Sequence, residues 1–72
     1  MNISFDLHGF LSTIMPGAYE NVKDDNVDTL IEFYHTEAVH HGYKGSLNTF
    51  YDKFMVYYWM YEDTILYKIR YN

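Results

Sequence analysis

Acidic side chains recur at helical spacing in the first half of the sequence. They are Asp24, Asp25, Asp28 and Glu32. Steps of three, four and seven residues place such side chains along one side of a helix. Carboxylates gathered in this way attract basic surfaces and can occupy a groove that otherwise holds nucleic acid phosphates. We therefore predict an anionic binding strip, with a merely solvated helix face as the alternative, since acids are favoured near a helix N-terminus.

A second cluster combines histidines with one carboxylate. Glu37 stands three residues before His40 and four before His41, and these spacings could offer two metal ligands. The order of the residues departs from the zinc-binding helix motif and no third strong ligand is evident, so we predict neither a metal nor a cofactor. We expect His41 to pack partly on the apolar face while His35 and His40 are exposed. Glu37 is assigned to the partner-binding set, and any role of the histidines would be a response to pH.

Aromatic side chains form a third cluster. They are Phe50, Tyr51, Phe54, Tyr57, Tyr58, Trp59 and Tyr61. On a helix these rings point in nearly every direction, so some of them must be exposed or cover a partner. Because Tyr and Trp are enriched in binding hot spots, Tyr57, Trp59 and Tyr61 are the predicted anchors. The alternatives are that the rings cover both sides of a thin domain or that they form a homodimer.

Catalytic arrangements are not visible in the sequence. There is no Cys, and Ser4, Ser12 and Ser46 lie in no nucleophile motif. No Gly-rich phosphate loop follows a predicted strand, and a chain this short has little volume for a substrate cleft. We predict that the protein is not an enzyme.

Length and charge bound the remaining possibilities. The 72 residues fit one domain, 1–72. Residues 1–41 hold seven acidic residues against one basic residue, whereas residues 42–72 hold three against four, within a net charge of −5. Residues 1–7 do not read as a signal peptide, and the longest apolar run, 54–61, is too short to span a membrane. We expect no membrane association and a cytoplasmic location, in the host cell's cytoplasm if the protein is phage-encoded.

The patterns in the chain predict both helices and strands. The apolar period, a cap at residue 25 or 26 and Gly42 at the end predict a helix over 26–41. Strict alternation predicts strands at 1–7 and 64–71. We expect residues 8–15 to extend the first strand or form a short helix, Pro16 and Gly17 to interrupt regular structure, and 18–25 to form a loop.

The segment that follows the turn at 42–45 is ambiguous. Ser46 can cap a helix over 46–60, which the absence of Gly and Pro favours. The alternative is a hairpin of 54–61 with 64–71, because that stretch is strand-prone. The predicted fold is a small single α+β domain, with two or three helices packed on a short sheet of the N- and C-terminal strands.

Together these features predict a small acidic binding protein that inhibits or regulates a basic, nucleic-acid-handling partner. In size, acidity and aromatic content the chain resembles the anti-defence proteins of phages and mobile elements, anti-CRISPR proteins among them. That resemblance implies a DNA mimic and a partner such as a host nuclease.

Two other functions remain open. Two helices joined by a Gly-containing turn loosely resemble a helix-turn-helix, in which Asn48, Thr49, Tyr51 and Lys53 would lie on the recognition helix. Five basic residues against ten acidic ones give little counterion release, so direct nucleic acid binding is not expected. The other possibility is a structural or assembly protein that dimerises through its aromatic surface.

Overall fold

Three helices and their connections make up the described part of the protein. The computed structural model describes residues 4–22 and 26–71. Helix α1 spans Leu7–Asn21, α2 spans Val27–His40 and α3 spans Leu47–Tyr71. No strand occurs among these residues. The prediction of an α+β fold is therefore wrong, and the domain is a small three-helix bundle.

Helix α1 runs through the predicted break at 16–17 and the first part of the predicted loop 18–25, of which residues 23–25 lie outside the described residues. It includes the short helix that was one of the two alternatives for 8–15. Residues 1–3 lie outside the described residues, residues 4–6 form no strand, and Leu7 begins the helix. Leu11, Met15 and Ala18 are buried at helical spacing, and their burial outweighs the short alternating pattern before them. Pro16 lies inside α1 with an exposed side chain. It removes one helical hydrogen bond but does not end the helix.

Helix α2 confirms the predicted helix over 26–41 to within a residue at each end. The Asn26 side chain accepts a hydrogen bond of 2.8 Å from the Asp28 amide, which caps the first turn. Gly42 has a φ of 109°, a left-handed conformation that glycine adopts without a steric cost. The amide of Gly42 donates to Val39 and that of Tyr43 donates to Ala38. This paired arrangement satisfies the last carbonyls of the helix.

Helix α3 begins as predicted but continues far beyond residue 60. The Thr49 amide donates to the Ser46 hydroxyl at 3.1 Å, so Ser46 caps the helix. The predicted strand at 64–71 and the alternative hairpin are both wrong, because this segment is the last part of α3. No Gly or Pro follows Ser46, and Lys68 and Arg70 in the last turn suit the negative end of the helix dipole.

The core lies where the three helices meet. Its buried side chains are Leu11, Met15, Ala18, Leu30, Ile31, Ala38, Phe50 and Phe54. The Phe50 ring packs against the rings of Phe10 and Tyr43, at centroid distances of 6.4 and 5.6 Å, and Phe54 stacks on Tyr34 at 6.3 Å. Burying one Phe side chain contributes about 1.5–3 kcal/mol. A few large rings on α3 thus hold both shorter helices.

Candidate acidic face of the second helix

The predicted acidic strip is only partly within the described structure. Asp24 and Asp25 lie outside the described residues. Asp28 and Glu32 are both exposed on α2, and four residues of helix separate them by only about 40° around the axis. We call Asp28 and Glu32 the acidic face. Helix α2 contains no Lys or Arg, so no basic side chain of the same helix can neutralise it.

Glu37 does not belong to this face. It is half-buried near the end of α2, and five residues of helix turn it about 140° away from Glu32. The structure therefore separates Glu37 from the two acids with which the sequence grouped it. Any partner that touched all three carboxylates would have to wrap around the helix.

Tyr51 on α3 lies close enough to the acidic face to respond to the charge of Asp28. The negative charge of Asp28 raises the pKa of the Tyr51 phenol above 10.0, and burial, hydrogen bonding to the Asp28 carboxylate and the charge of Asp52 raise it further. A neutral phenol beside a carboxylate can donate a hydrogen bond without adding charge. Tyr51 thus brings a neutral donor near Asp28 and leaves the face negative.

An exposed aromatic side chain lies on another side of α2. Phe33 follows Glu32 directly and is 54% exposed, although its ring also meets the edge of the Tyr34 ring at 5.1 Å. The helix turns it about 100° from Glu32 and about 140° from Asp28, and only about 40° from Glu37, so it does not belong to the acidic face. Phe33 was not predicted as a site residue, because it lies off the apolar stripe of α2. Its position off that stripe could have identified it in the sequence, because packing within the domain does not call for a large ring on the polar side of an amphipathic helix.

The three predicted aromatic anchors do not form one surface. Tyr57 faces α1, where its hydroxyl is hydrogen-bonded to Nδ1 of His8. Tyr61 also faces α1 and lies 5.4 Å from the Tyr19 ring. Trp59 is 56% exposed and, two residues from each of them, points to a different side of α3. Tyr57 and Tyr61 therefore serve mainly to pack α1 on α3, and Trp59 alone is free to meet a partner.

Two of the three predicted histidine positions are confirmed. His40 is exposed. His41 is exposed too, but its ring lies 6.3 Å from that of Phe10, so it packs partly on the apolar side as expected. His35 was expected to be exposed, yet it is half-buried, with its ring edge-on to Tyr43 and Phe50 at 5.8 and 5.4 Å. Within residues 4–22 and 26–71, the only buried side-chain nitrogen or oxygen without a hydrogen-bond partner is Nε2 of His35.

Other kinds of site are absent from the part of the chain that the structure describes. Among the described residues, no group of three or more His, Cys, Asp or Glu side chains could hold a metal ion. None of the three helices, as far as they are described, combines the length and apolarity needed to cross a membrane.

Comparison with known proteins does not assign the chain to a family. No family model, curated protein or solved structure matches it. The class that the fold defines is therefore a small three-helix domain, and its function has to be argued from its own surface.

Proposed function

We propose that this protein is a small binding protein that inhibits or regulates a partner with a basic, nucleic-acid-binding surface, by presenting the acidic face of α2 to it. The observation that carries the proposal is that Asp28 and Glu32 are exposed on one side of a helix without Lys or Arg. Charge complementarity directs encounter and orientation.

The arrangement favours a rigid surface over a flexible acidic tail. Asp28 stands in the first turn of α2, next to the Asn26 cap, and Tyr51 lies against it from α3. A surface ordered before binding loses little conformational entropy on association. Carboxylates held in this way can take the place of phosphates in a basic groove, which is the property expected of an inhibitor of nucleic acid binding.

The same electrostatics weigh against a nucleic-acid-binding regulator. Tyr51 and Lys53, on the first turns of α3, are exposed, as a recognition helix requires. Asp52 lies between them, and Asp28 lies against Tyr51. A DNA phosphate approaching this part of α3 would meet the carboxylates of Asp28 and Asp52 beside Lys53.

Charge reversal on the acidic face tests the proposal. The double variant Asp28→Lys with Glu32→Lys is expected to lose partner binding, and Glu32→Lys alone is expected to weaken it. Glu37→Lys makes the same single charge change about 140° around the helix from Glu32 and is the control matched to Glu32→Lys. Asp28→Asn with Glu32→Gln removes the charges with less disturbance of the first turn and is expected to lie between the parent and the reversal.

The measurement has two stages. Proteins retained from a host lysate by the immobilised parent and by Glu37→Lys, but not by the charge-reversed variant, are identified, and circular dichroism checks that each variant is helical. The retained protein is then tested for nucleic acid binding with and without the parent, which is expected to compete. Equal retention by parent and charge-reversed variant, or retained nucleic acid binding in the presence of the parent, would contradict the proposal. So would direct, salt-sensitive binding of the parent to duplex DNA.

A further inference from the structure

Helix α3 carries an exposed stripe of apolar and charged side chains that no other part of the described structure covers. We call it the outer stripe. Its residues are Asp52, Val56, Trp59, Met60, Asp63, Leu66, Tyr67 and Arg70. The apolar members are between 45% exposed, at Val56, and 65% exposed, at Tyr67. Such a patch on a small monomer marks an interaction surface.

The outer stripe lies on the side of α3 that faces away from the core. Trp59 stands nine residues after Phe50, and Asp63 stands nine residues after Phe54. Nine residues of helix correspond to about two and a half turns, which is the opposite side of the axis. Phe50 and Phe54 are fully buried. Helix α3 therefore packs on the other two helices through one face and exposes apolar side chains on the opposite face.

The stripe also has the period of a coiled-coil seam. Val56, Asp63 and Arg70 repeat every seven residues, and Asp52, Trp59 and Leu66 do so four residues earlier. These two series occupy the a and d positions of a heptad, with apolar side chains at Val56, Trp59 and Leu66 and charged ones at Asp52, Asp63 and Arg70. From Asp52 to Arg70 the seam is about 27 Å long, and it runs past the shorter helices toward the end of a molecule whose longest dimension is 45 Å.

The charges on the seam select the orientation of a partner helix. From this geometry we infer that the outer stripe pairs with the same stripe of a second copy of this chain, in an antiparallel two-fold dimer. In an antiparallel seam the a positions of one helix face the d positions of the other. Asp52 then faces Arg70 of the second copy, and Val56 faces Leu66 of the second copy.

The centre of the same register is also complementary. Trp59 faces Asp63 of the second copy, where the indole N–H can donate to the carboxylate. Two-fold symmetry repeats each of these pairs, so both ends of the seam carry an Asp–Arg pair. A parallel dimer would instead place Asp63 on Asp63 and Arg70 on Arg70, which repel each other. The pattern therefore specifies a second copy in one orientation.

An interface of standard size would cover a modest share of the protein surface. A specific interface of standard size covers about 800 Å² on each partner, which is roughly a seventh of the 5434 Å² exposed by this chain. The pairing leaves α2 uncovered, because the stripe points away from the core to which α2 is packed. Dimerisation and the proposed binding by the acidic face are thus separate properties and can fail separately.

A charge swap on the full chain tests the inference. Sedimentation equilibrium is expected to show a dimer for the parent. Arg70→Asp alone and Asp52→Arg alone each turn two attractive pairs into repulsive ones, and each is expected to weaken the dimer about tenfold. The double variant, Asp52→Arg with Arg70→Asp, restores opposite charges and is expected to dimerise like the parent.

Two further variants keep the result interpretable. Lys68→Asp makes a comparable charge change two residues away but off the seam, and it is expected to leave the dimer unchanged. Trp59→Ala alters an exposed side chain and is expected to weaken the dimer without changing the helix content. A parent that stays monomeric at millimolar concentration overturns the inference, and so does a dimer that both single reversals leave intact. Failure of the double variant to recover overturns the register.

Discussion

The Tyr51 phenol on α3 lies beside the Asp28 carboxylate on α2, and this proximity raises the pKa of Tyr51 above 10.0. The contact joins the acidic face to the longest helix. Because a raised pKa means that the folded protein keeps this proton to higher pH than the unfolded chain does, the contact also makes stability depend on pH.

Stability is expected to fall in alkali partly through Tyr51. Its contribution is complete below the unfolded pKa near 10.0 and is lost as the pH rises through the raised folded pKa. Tyr58 acts in the same direction, mainly because burial raises its pKa. Tyr51→Phe is therefore expected to lose less stability than the parent between about pH 9 and pH 11.5 in urea titrations.

Tyr71→Phe provides the control for this comparison. It removes one phenol from the exposed end of α3 without touching α2. Its alkaline loss of stability is expected to match that of the parent. If Tyr51→Phe also matched the parent, the proximity of Tyr51 to Asp28 would make no contribution to the pH dependence of stability.

Pro16→Ala is expected to stabilise the protein. Pro16 lies in the interior of α1 with an exposed side chain, and a helix-interior Pro costs about 3 kcal/mol relative to Ala. Since α1 already accommodates the ring, we expect a gain of about 1–3 kcal/mol in the free energy of unfolding. Chemical denaturation of the two proteins measures it.

Gly17→Ala calibrates that gain. The added Cβ would lie no closer than 4.0 Å to Tyr34, its nearest neighbour, so only the helix propensity changes, by about 1 kcal/mol. The Pro16 variant is expected to gain more than the Gly17 variant. The reverse order, or a loss at both positions, would show that residues 16 and 17 do not belong to a continuous helix.

His35→Phe is also expected to stabilise the protein. It keeps a ring against Tyr43 and Phe50 and removes a buried Nε2 that has no hydrogen-bond partner in the described structure. Such a nitrogen costs about 1 kcal/mol or more. His40→Phe, on an exposed position of the same helix, is the control and is expected to change the free energy of unfolding by less than about 0.5 kcal/mol. A less stable His35 variant would mean that the nitrogen does have a partner.

The ends of α2 could be predicted because helix capping depends on a few neighbouring residues. The strands were predicted from an alternation of apolar and polar residues that does not follow which side chains are buried. Asn26 and Gly42 act on backbone groups within a few residues, so their effect can be read from the sequence. The alternation at 64–71 lies on the largely exposed end of a helix. Packing there selects neither the period of a helix nor the period of a strand. Pro16 was wrongly predicted to interrupt regular structure, because an exposed Pro ring inside a helix lowers stability without ending the helix.

The acidic face was also predictable only in part. The spacing of Asp28 and Glu32 placed them together correctly, and Glu37, five residues on, could have been excluded by the same geometry. The contact of Asp28 with Tyr51 depends on how α2 crosses α3, which no spacing within one helix reveals. Tyr57 and Tyr61 were predicted as anchors because ring type alone does not distinguish a ring that binds a partner from one that packs a neighbouring helix.

Helix α3 also protects the protein from aggregation. Eight consecutive residues without charge, 54–61, lie between Lys53 and Glu62 and are dominated by aromatic side chains. Segments of this composition stack readily into cross-β fibrils once their backbone is released. As long as α3 holds these amides in its own hydrogen bonds, they cannot pair with another chain, so loosening of this one helix would open a route to amyloid.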